Sequence, residues 1–246
     1  RGEVLHMPHY ENRLQAGQLL LLDGGAERPS GYGVDITRTW PVDGVYSGRQ
    51  RAAYEAVLRA ELEAIELCRV GTRYRDVHLH AARVLAEWLI EEGLLRGSLD
   101  GVMEQHAAAV FFPHGVGHLL GMDVHDLEQF GDTAAYAQGR ERSPHFGTAY
   151  LRLDLDLEAG HLVTIEPGFY VVPAILQDTA LRERLGDTVN WEAAADWLPF
   201  GGIRIEDDIL VTEGAPEVLT HATPKTVAEV EALVGSGPSA LERLSP

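Results

Sequence analysis

Cysteine is almost absent: Cys68 stands alone, no intramolecular disulfide can form, and nothing in the chain calls for an oxidising compartment. Positive charge is scarce as well. Twenty Lys and Arg against 38 Asp and Glu give a formal charge of −18, which repels a nucleic-acid backbone or an anionic membrane rather than binding it. Long apolar runs are missing too: the longest, Ala107 to Phe112, has six residues, where about 20 are needed to span a bilayer. No basic-then-apolar leader opens the chain, so the expected location is the cytoplasm. No tandem repeat, low-complexity tract or linker divides it either, and one domain over 1–246 is expected.

What is present reads as an ordinary globular protein, 45% hydrophobic and 24% charged. The Leu19-Leu20-Leu21-Leu22 run, stopped by Asp23-Gly24-Gly25, predicts a buried strand, and Val34 to Trp40 predicts a returning strand after a Gly/Pro/Ser turn. Ser47 with Gln50 forms a capping-box pattern, followed by Tyr54, Val57, Leu58, Leu62 and Ile65 at helical spacing up to Gly71. Val77, Ala81, Val84, Leu85, Trp88 and Leu89 repeat that spacing up to Gly93. Leu162 to Glu166, Phe169 to Val172 and Ile203 to Thr212 are β-type segments, and Val227 to Val234 predicts a helix after Pro224. Hairpin-like strands alternating with helices favour an α+β fold over a doubly wound sheet.

The hairpin would bring the carboxylates of Asp23 and Asp35 side by side. Asp23 alone reads as a solvated turn acid or a helix cap, the usual state of a single acid in a turn. Asp35 lies among Val34, Ile36 and Trp40, and a carboxylate buried there must be neutralised. Between Phe111 and Asp126, His114, His118 and His125 fall among glycines and apolar residues; so dense a group suggests a metal or acid/base site, although each ring alone could cap a loop carbonyl. Glu166 and Glu206 end β-type segments, and Glu206 could simply pair with Arg204. Four carboxylates and one imidazole make a hard, oxygen-rich donor set that suits Mn²⁺ better than thiophilic ions, and a pair of such ions ~3.5–4 Å apart would activate one water for hydrolysis.

Six segments in order resemble the pita-bread metallopeptidases, namely prolidase, aminopeptidase P and methionine aminopeptidase. They are Leu22-Asp23-Gly24-Gly25, Asp35 to Trp40, His114-Gly115-Val116-Gly117-His118, Asp123-Val124-His125-Asp126, Thr164 to Gly168 and Ile203 to Asp208. The resemblance runs from Val4 to Val234 and implies a curved antiparallel sheet covered by helices. It implies further that Asp23, Asp35, His118, Glu166 and Glu206 bind two divalent ions, with Arg204 behind them. Mn²⁺ is the expected metal, with Co²⁺ or Zn²⁺ as alternatives. Glu166 would shuttle the proton between the attacking water and the leaving amine, while His114 and His125 hold substrate and stabilise the tetrahedral intermediate. His6, seventeen positions before Asp23, stands where another substrate-binding histidine is expected, with His9 as its rival.

The forms Gly121-Met122-Asp123-Val124-His125-Asp126 and Ile203 to Asp208 look like the proline-specific branch, which implies cleavage of Xaa–Pro bonds. Such bonds lack the N–H that ordinary peptidases grip. Arg152 matches the prolidase arginine that clamps a dipeptide's free carboxylate; as an alternative it could pair on the surface with Asp154 or Asp156. The expected function is therefore an Xaa-Pro dipeptidase. Its alternatives are an Xaa-Pro aminopeptidase acting on longer peptides, a non-catalytic pita-bread interaction module, and a metal-free creatinase-like hydrolase. Dipeptides, or short peptides with proline second, are the expected partners. Against the family pattern the chain lacks the usual N-terminal ~60 residues of the catalytic domain and the domain before it. A homodimer is expected of the complete protein, with a complementing N-terminal piece as the other option.

Overall fold

A computed structural model describes residues 2–5, 11–238 and 242–243. His6 and His9 lie outside these. Strands β1 (Leu19–Glu27) and β2 (Gly33–Pro41) form the expected antiparallel hairpin. β1 continues through Asp23-Gly24-Gly25, where the sequence predicted a stop. Glycine is required at Gly25, because a Cβ there would lie 1.7 Å from the Val34 carbonyl oxygen. Asp23 pairs with Thr37 and Gly25 with Asp35, so the two acids are diagonal neighbours on one face rather than directly opposed. The alternation of β2 then puts Asp35, Thr37 and Thr39 on that same face, all buried.

Helix α1 (Gly48–Glu66) starts at a complete capping box, in which the Gln50 N–H donates to Ser47 Oγ and the Ser47 N–H to Gln50 Oε1. Helix α2 (Tyr74–Glu91) packs against α1. Its Trp88 meets Phe169 and Trp197 edge-on at 5.0 and 5.8 Å. Burial of Tyr54, Val57, Val77, Leu85 and Leu89 fastens this pair of helices to the core, at about 1.5–3 kcal/mol for each large apolar side chain. Cys68 is buried here, and desolvation pushes its thiol up to about 12, which makes it unreactive.

The remaining strands are short and antiparallel. β3 (Leu162–Ile165) pairs with β6 (Asp207–Leu210), which also pairs with β7 (Glu217–Val218), and β4 (Gly168–Tyr170) pairs with β5 (Gly202–Arg204). The single segment expected over Ile203 to Thr212 is therefore two strands. The chain leaves one sheet and joins another at Ile205-Glu206, where the Glu206 N–H donates to Thr37 O at 3.1 Å. The turn residues between strands and the helices Leu99–Glu104, Pro173–Leu176, Thr179–Leu185 and Trp191–Ala195 complete an α+β arrangement, closed by the expected helix at Val227–Leu233. Among the described residues no helix is long and apolar enough to cross a membrane.

A buried polar network backs this junction. Arg38 donates to Thr37 O (2.9 Å), Glu206 O (2.7 Å) and Asp207 Oδ1 (2.8 Å), and Lys225 Nζ reaches both Asp207 (2.6 Å) and Glu61 (2.7 Å). Burial pushes the Glu61 carboxyl up to about 8; Lys225 pulls it down, and the charge of Asp207 adds to the rise. The folded chain thus keeps a proton that the unfolded chain releases near 4.5, and stability falls as pH rises between those values. Chemical unfolding at pH 5 and 9 is expected to show wild type losing on the order of 2 kcal/mol more than Glu61→Gln. Parallel losses in the two proteins would refute this.

Candidate metal centre and substrate cavity

Glu166 follows β3 directly and Glu206 sits at the switch between β5 and β6; both therefore point into the space beside the Asp35 face of β2. His118 arrives from the glycine-rich loop. Gly117 makes this approach possible, since a Cβ there would lie 2.2 Å from Thr164 O and 2.4 Å from the Tyr74 hydroxyl. With the backbone held this close, the His118 N–H donates to Thr164 Oγ1 at 3.2 Å and its carbonyl accepts from the Thr164 N–H at 2.9 Å.

The donor atoms converge. Ligand atoms of Asp35, His118 and Glu206 all lie within 4.8 Å of one another, and His118 Nε2 is 3.5 Å from Asp35 and 3.6 Å from Glu166. His118 Nδ1 stands 2.9 Å from the Leu119 carbonyl, which can only accept, so Nδ1 carries a proton and Nε2 is the ring atom that faces the carboxylates. Thr37 Oγ1 donates to Glu206 Oε2 at 2.6 Å. Burial raises the Glu166 and Glu206 carboxyls, Glu206 well above the usual range. Burial works against ionising Asp35 too, but its bond to His118 and the charge of that ring outweigh it and hold the acid low.

Arg204 is the cation among these acids. It donates to Asp23 Oδ2 (2.5 Å), to Thr37 Oγ1 (3.1 Å) and to the Tyr170 hydroxyl (3.2 Å), and it stands 3.8 Å from Glu166 and 4.0 Å from Glu206. The pair with Glu206 is therefore the longest of its contacts, and the Arg204–Glu206 alternative accounts for little of either residue. One guanidinium and one imidazole face four acids, more negative charge than they can balance once all four ionise. That imbalance, together with the hard oxygen donors and the aimed imidazole, fits divalent metal.

His114 connects to this centre through Tyr170, a residue the sequence reading did not single out. Its Nδ1 lies 2.7 Å from Gly115 O and its Nε2 3.0 Å from the Tyr170 hydroxyl, so the carbonyl accepts from Nδ1–H and Nε2 accepts from the tyrosine that Arg204 also contacts. Burial and the charge of Arg204 push the His114 imidazole down to about 3, leaving it neutral. Burial and the nearby His118 lower His125 as well, and the His118 and His125 rings meet edge-on at 4.5 Å. The only sequence hint of Tyr170 was its place beside Glu166-Pro167-Gly168.

Arg152 makes neither of the surface pairs that were its alternative reading. Asp154 is held by Arg73 at 2.5 and 2.6 Å and Asp156 by Arg140 at 2.7 Å. Arg152 instead donates to Glu128, which the sequence reading also passed over. All nine described candidates, Asp23, Asp35, His114, His118, His125, Arg152, Glu166, Arg204 and Glu206, line one cavity of about 700 Å³. Its outer wall comes from the long 126–160 stretch, through Glu128, Asp132, Arg142 and Tyr150 among others, whereas 173–200 is largely helical and contributes Ile175.

Comparison with known proteins gives a consistent picture. The profile described as metallopeptidase family M24 matches residues 1–213. A probable Xaa-Pro aminopeptidase of Verticillium alfalfae is 39% identical over 95% of this chain and 48% of its own length. The human Xaa-Pro dipeptidase is 36% identical over 93% of this chain and 46% of its own. Among solved structures, the aminopeptidase PepP of Pseudomonas aeruginosa superposes with a TM-score of 0.74 at 35% identity, over 96% of this chain and 45% of that one. A zinc-substituted Escherichia coli aminopeptidase P in complex with product gives 0.73 at 34% identity, over 95% and 44%. The chain thus spans about half the length of the relatives it matches.

Proposed function

This chain belongs to metallopeptidase family M24 and has its pita-bread fold, and on that premise we propose that it hydrolyses Xaa–Pro bonds, with dipeptides as preferred substrates. The observation that carries this reading is that the donor set, two neutral imidazoles and the Arg152 guanidinium line one cavity. Divalent metal held by Asp23, Asp35, His118, Glu166 and Glu206, proposed as two Mn²⁺ ions, supplies Lewis acidity and lowers the pKa of water. The chain's own residues do the rest. Glu166 stands where it can shuttle a proton from water to the proline nitrogen, which as a tertiary amide has no hydrogen of its own. His125 offers a neutral hydrogen-bonding group to the scissile carbonyl, and His114 takes up the same role once substrate displaces the Tyr170 hydroxyl from its Nε2. Arg152 receives the free carboxylate of the dipeptide.

Glu128 favours a second reading, removal of the first residue from longer peptides, because it already pairs with Arg152. The two are separated by kcat/KM, after chelation and addition of Mn²⁺, for an Xaa–Pro dipeptide and the same sequence extended by two residues. Arg152→Met is expected to lower kcat/KM for the dipeptide about tenfold, through KM, and to leave the longer peptide within about twofold. Unchanged dipeptide kinetics would transfer the assignment to the aminopeptidase.

A further inference from the structure

The contacts of Glu128 go beyond this assignment. One carboxylate oxygen accepts from Arg152 Nη1, and the other lies 3.6 Å from His125 Nδ1, so a single acidic side chain bridges two groups proposed to hold substrate. Arg152, Glu128 and His125 are each about one-third exposed and all three line the cavity. Glu128 is the one acid paired with Arg152 among the described residues, since Asp154 and Asp156 are occupied by Arg73 and Arg140. An ion pair this open to water is weak and exchangeable, whereas a buried one would be locked.

We propose that Glu128 is a specificity-determining residue, an internal carboxylate that holds the Arg152 guanidinium until the free C-terminal carboxylate of a substrate displaces it. The proposal rests on Arg152 being the carboxylate clamp. Two effects follow from the exchange. Binding of an acid is weakened by loss of the Glu128–Arg152 pair and by repulsion between the incoming carboxylate and Glu128. A neutral C-terminus, or a chain that continues past proline, leaves the pair intact. Glu128 therefore sets how strongly dipeptides are favoured over longer peptides, and its removal sharpens dipeptide selectivity.

The test uses binding rather than turnover: calorimetric titration of the Mn²⁺-supplied protein with N-acetyl-L-proline and with N-acetyl-L-prolinamide, which differ only in the carboxylate. Glu128→Gln is expected to tighten the acid by about fivefold, the fold-change of a partly exposed ion pair, and to leave the amide within about twofold. Glu128→Ala must shift the same ratio in the same direction. In an Arg152→Met background the Glu128 substitution should tighten the acid less than in wild type, since only the direct repulsion is relieved, and should leave the amide unchanged. An acid-to-amide ratio unmoved by Glu128→Gln, absence of binding included, or equal tightening of both ligands, overturns the proposal. Equal affinities in wild type that separate only in Glu128→Gln would sink the dipeptidase assignment while supporting the role of Glu128.

Discussion

Glu206→Gln is expected to lower kcat/KM for an Xaa–Pro dipeptide by about a thousandfold or more, equivalent to roughly 4 kcal/mol of transition-state stabilisation. The substitution removes charge and little else. Glutamine keeps the size of the side chain and an oxygen that can accept from Thr37 Oγ1, so the 2.6 Å bond and the junction between β5 and β6 survive. What is lost is an anionic donor within 4.8 Å of those on Asp35 and His118. Metal content should fall together with activity, because hard divalent ions are held by anionic oxygen. The check is elemental analysis of the purified variant beside its kinetics with added Mn²⁺. A variant that binds as much metal as wild type and keeps activity within tenfold would remove Glu206 from the proposed ligand set.

The second large effect is on stability. Arg204→Met is expected to destabilise the metal-free protein by about 3–5 kcal/mol, the usual consequence of removing one partner from a buried ion cluster. Arg204 is 4% exposed and contacts Asp23, Thr37 and Tyr170 directly, so its loss takes the ion-pair partner from Asp23 and leaves a tyrosine with one partner fewer. Added divalent cation should restore part of the loss in Arg204→Met and shift wild type less, since the ion replaces positive charge in the same pocket. Chemical denaturation with and without Mn²⁺ measures both. A loss below ~1 kcal/mol would place Arg204 among dispensable surface-type pairs.

Much of the scaffold was legible because its signals are local. The Ser47–Gln50 box lies within one turn of helix, and the apolar spacings of α1 and α2 repeat every three or four residues, as a buried helical face requires. The Asp23–Asp35 hairpin was equally readable, because two strands joined by a short turn have nowhere else to pair. Tyr170 and Glu128 were not. The role of Tyr170 depends on a guanidinium 34 residues away and that of Glu128 on one 24 residues away, and neither residue carries a pattern that distinguishes it from an ordinary core tyrosine or a loop acid. The Ile203 to Thr212 segment misled for a related reason: its β-type composition is continuous, and only competition between two neighbouring sheets for its backbone breaks it at Glu206.

By itself the sequence determined the kinds of donor available and their order along the chain: four acids and three histidines set beside strand and glycine signals, with too little positive charge to neutralise them internally. Side-chain chemistry and short-range periodicity are properties of the sequence alone. Tertiary structure decided which of those charges meet. It gave Asp154 to Arg73, left Arg152 to Glu128, and set Arg204 among the acids of the cavity, because electrostatic pairing depends on distance in space and the chain reverses many times between these residues.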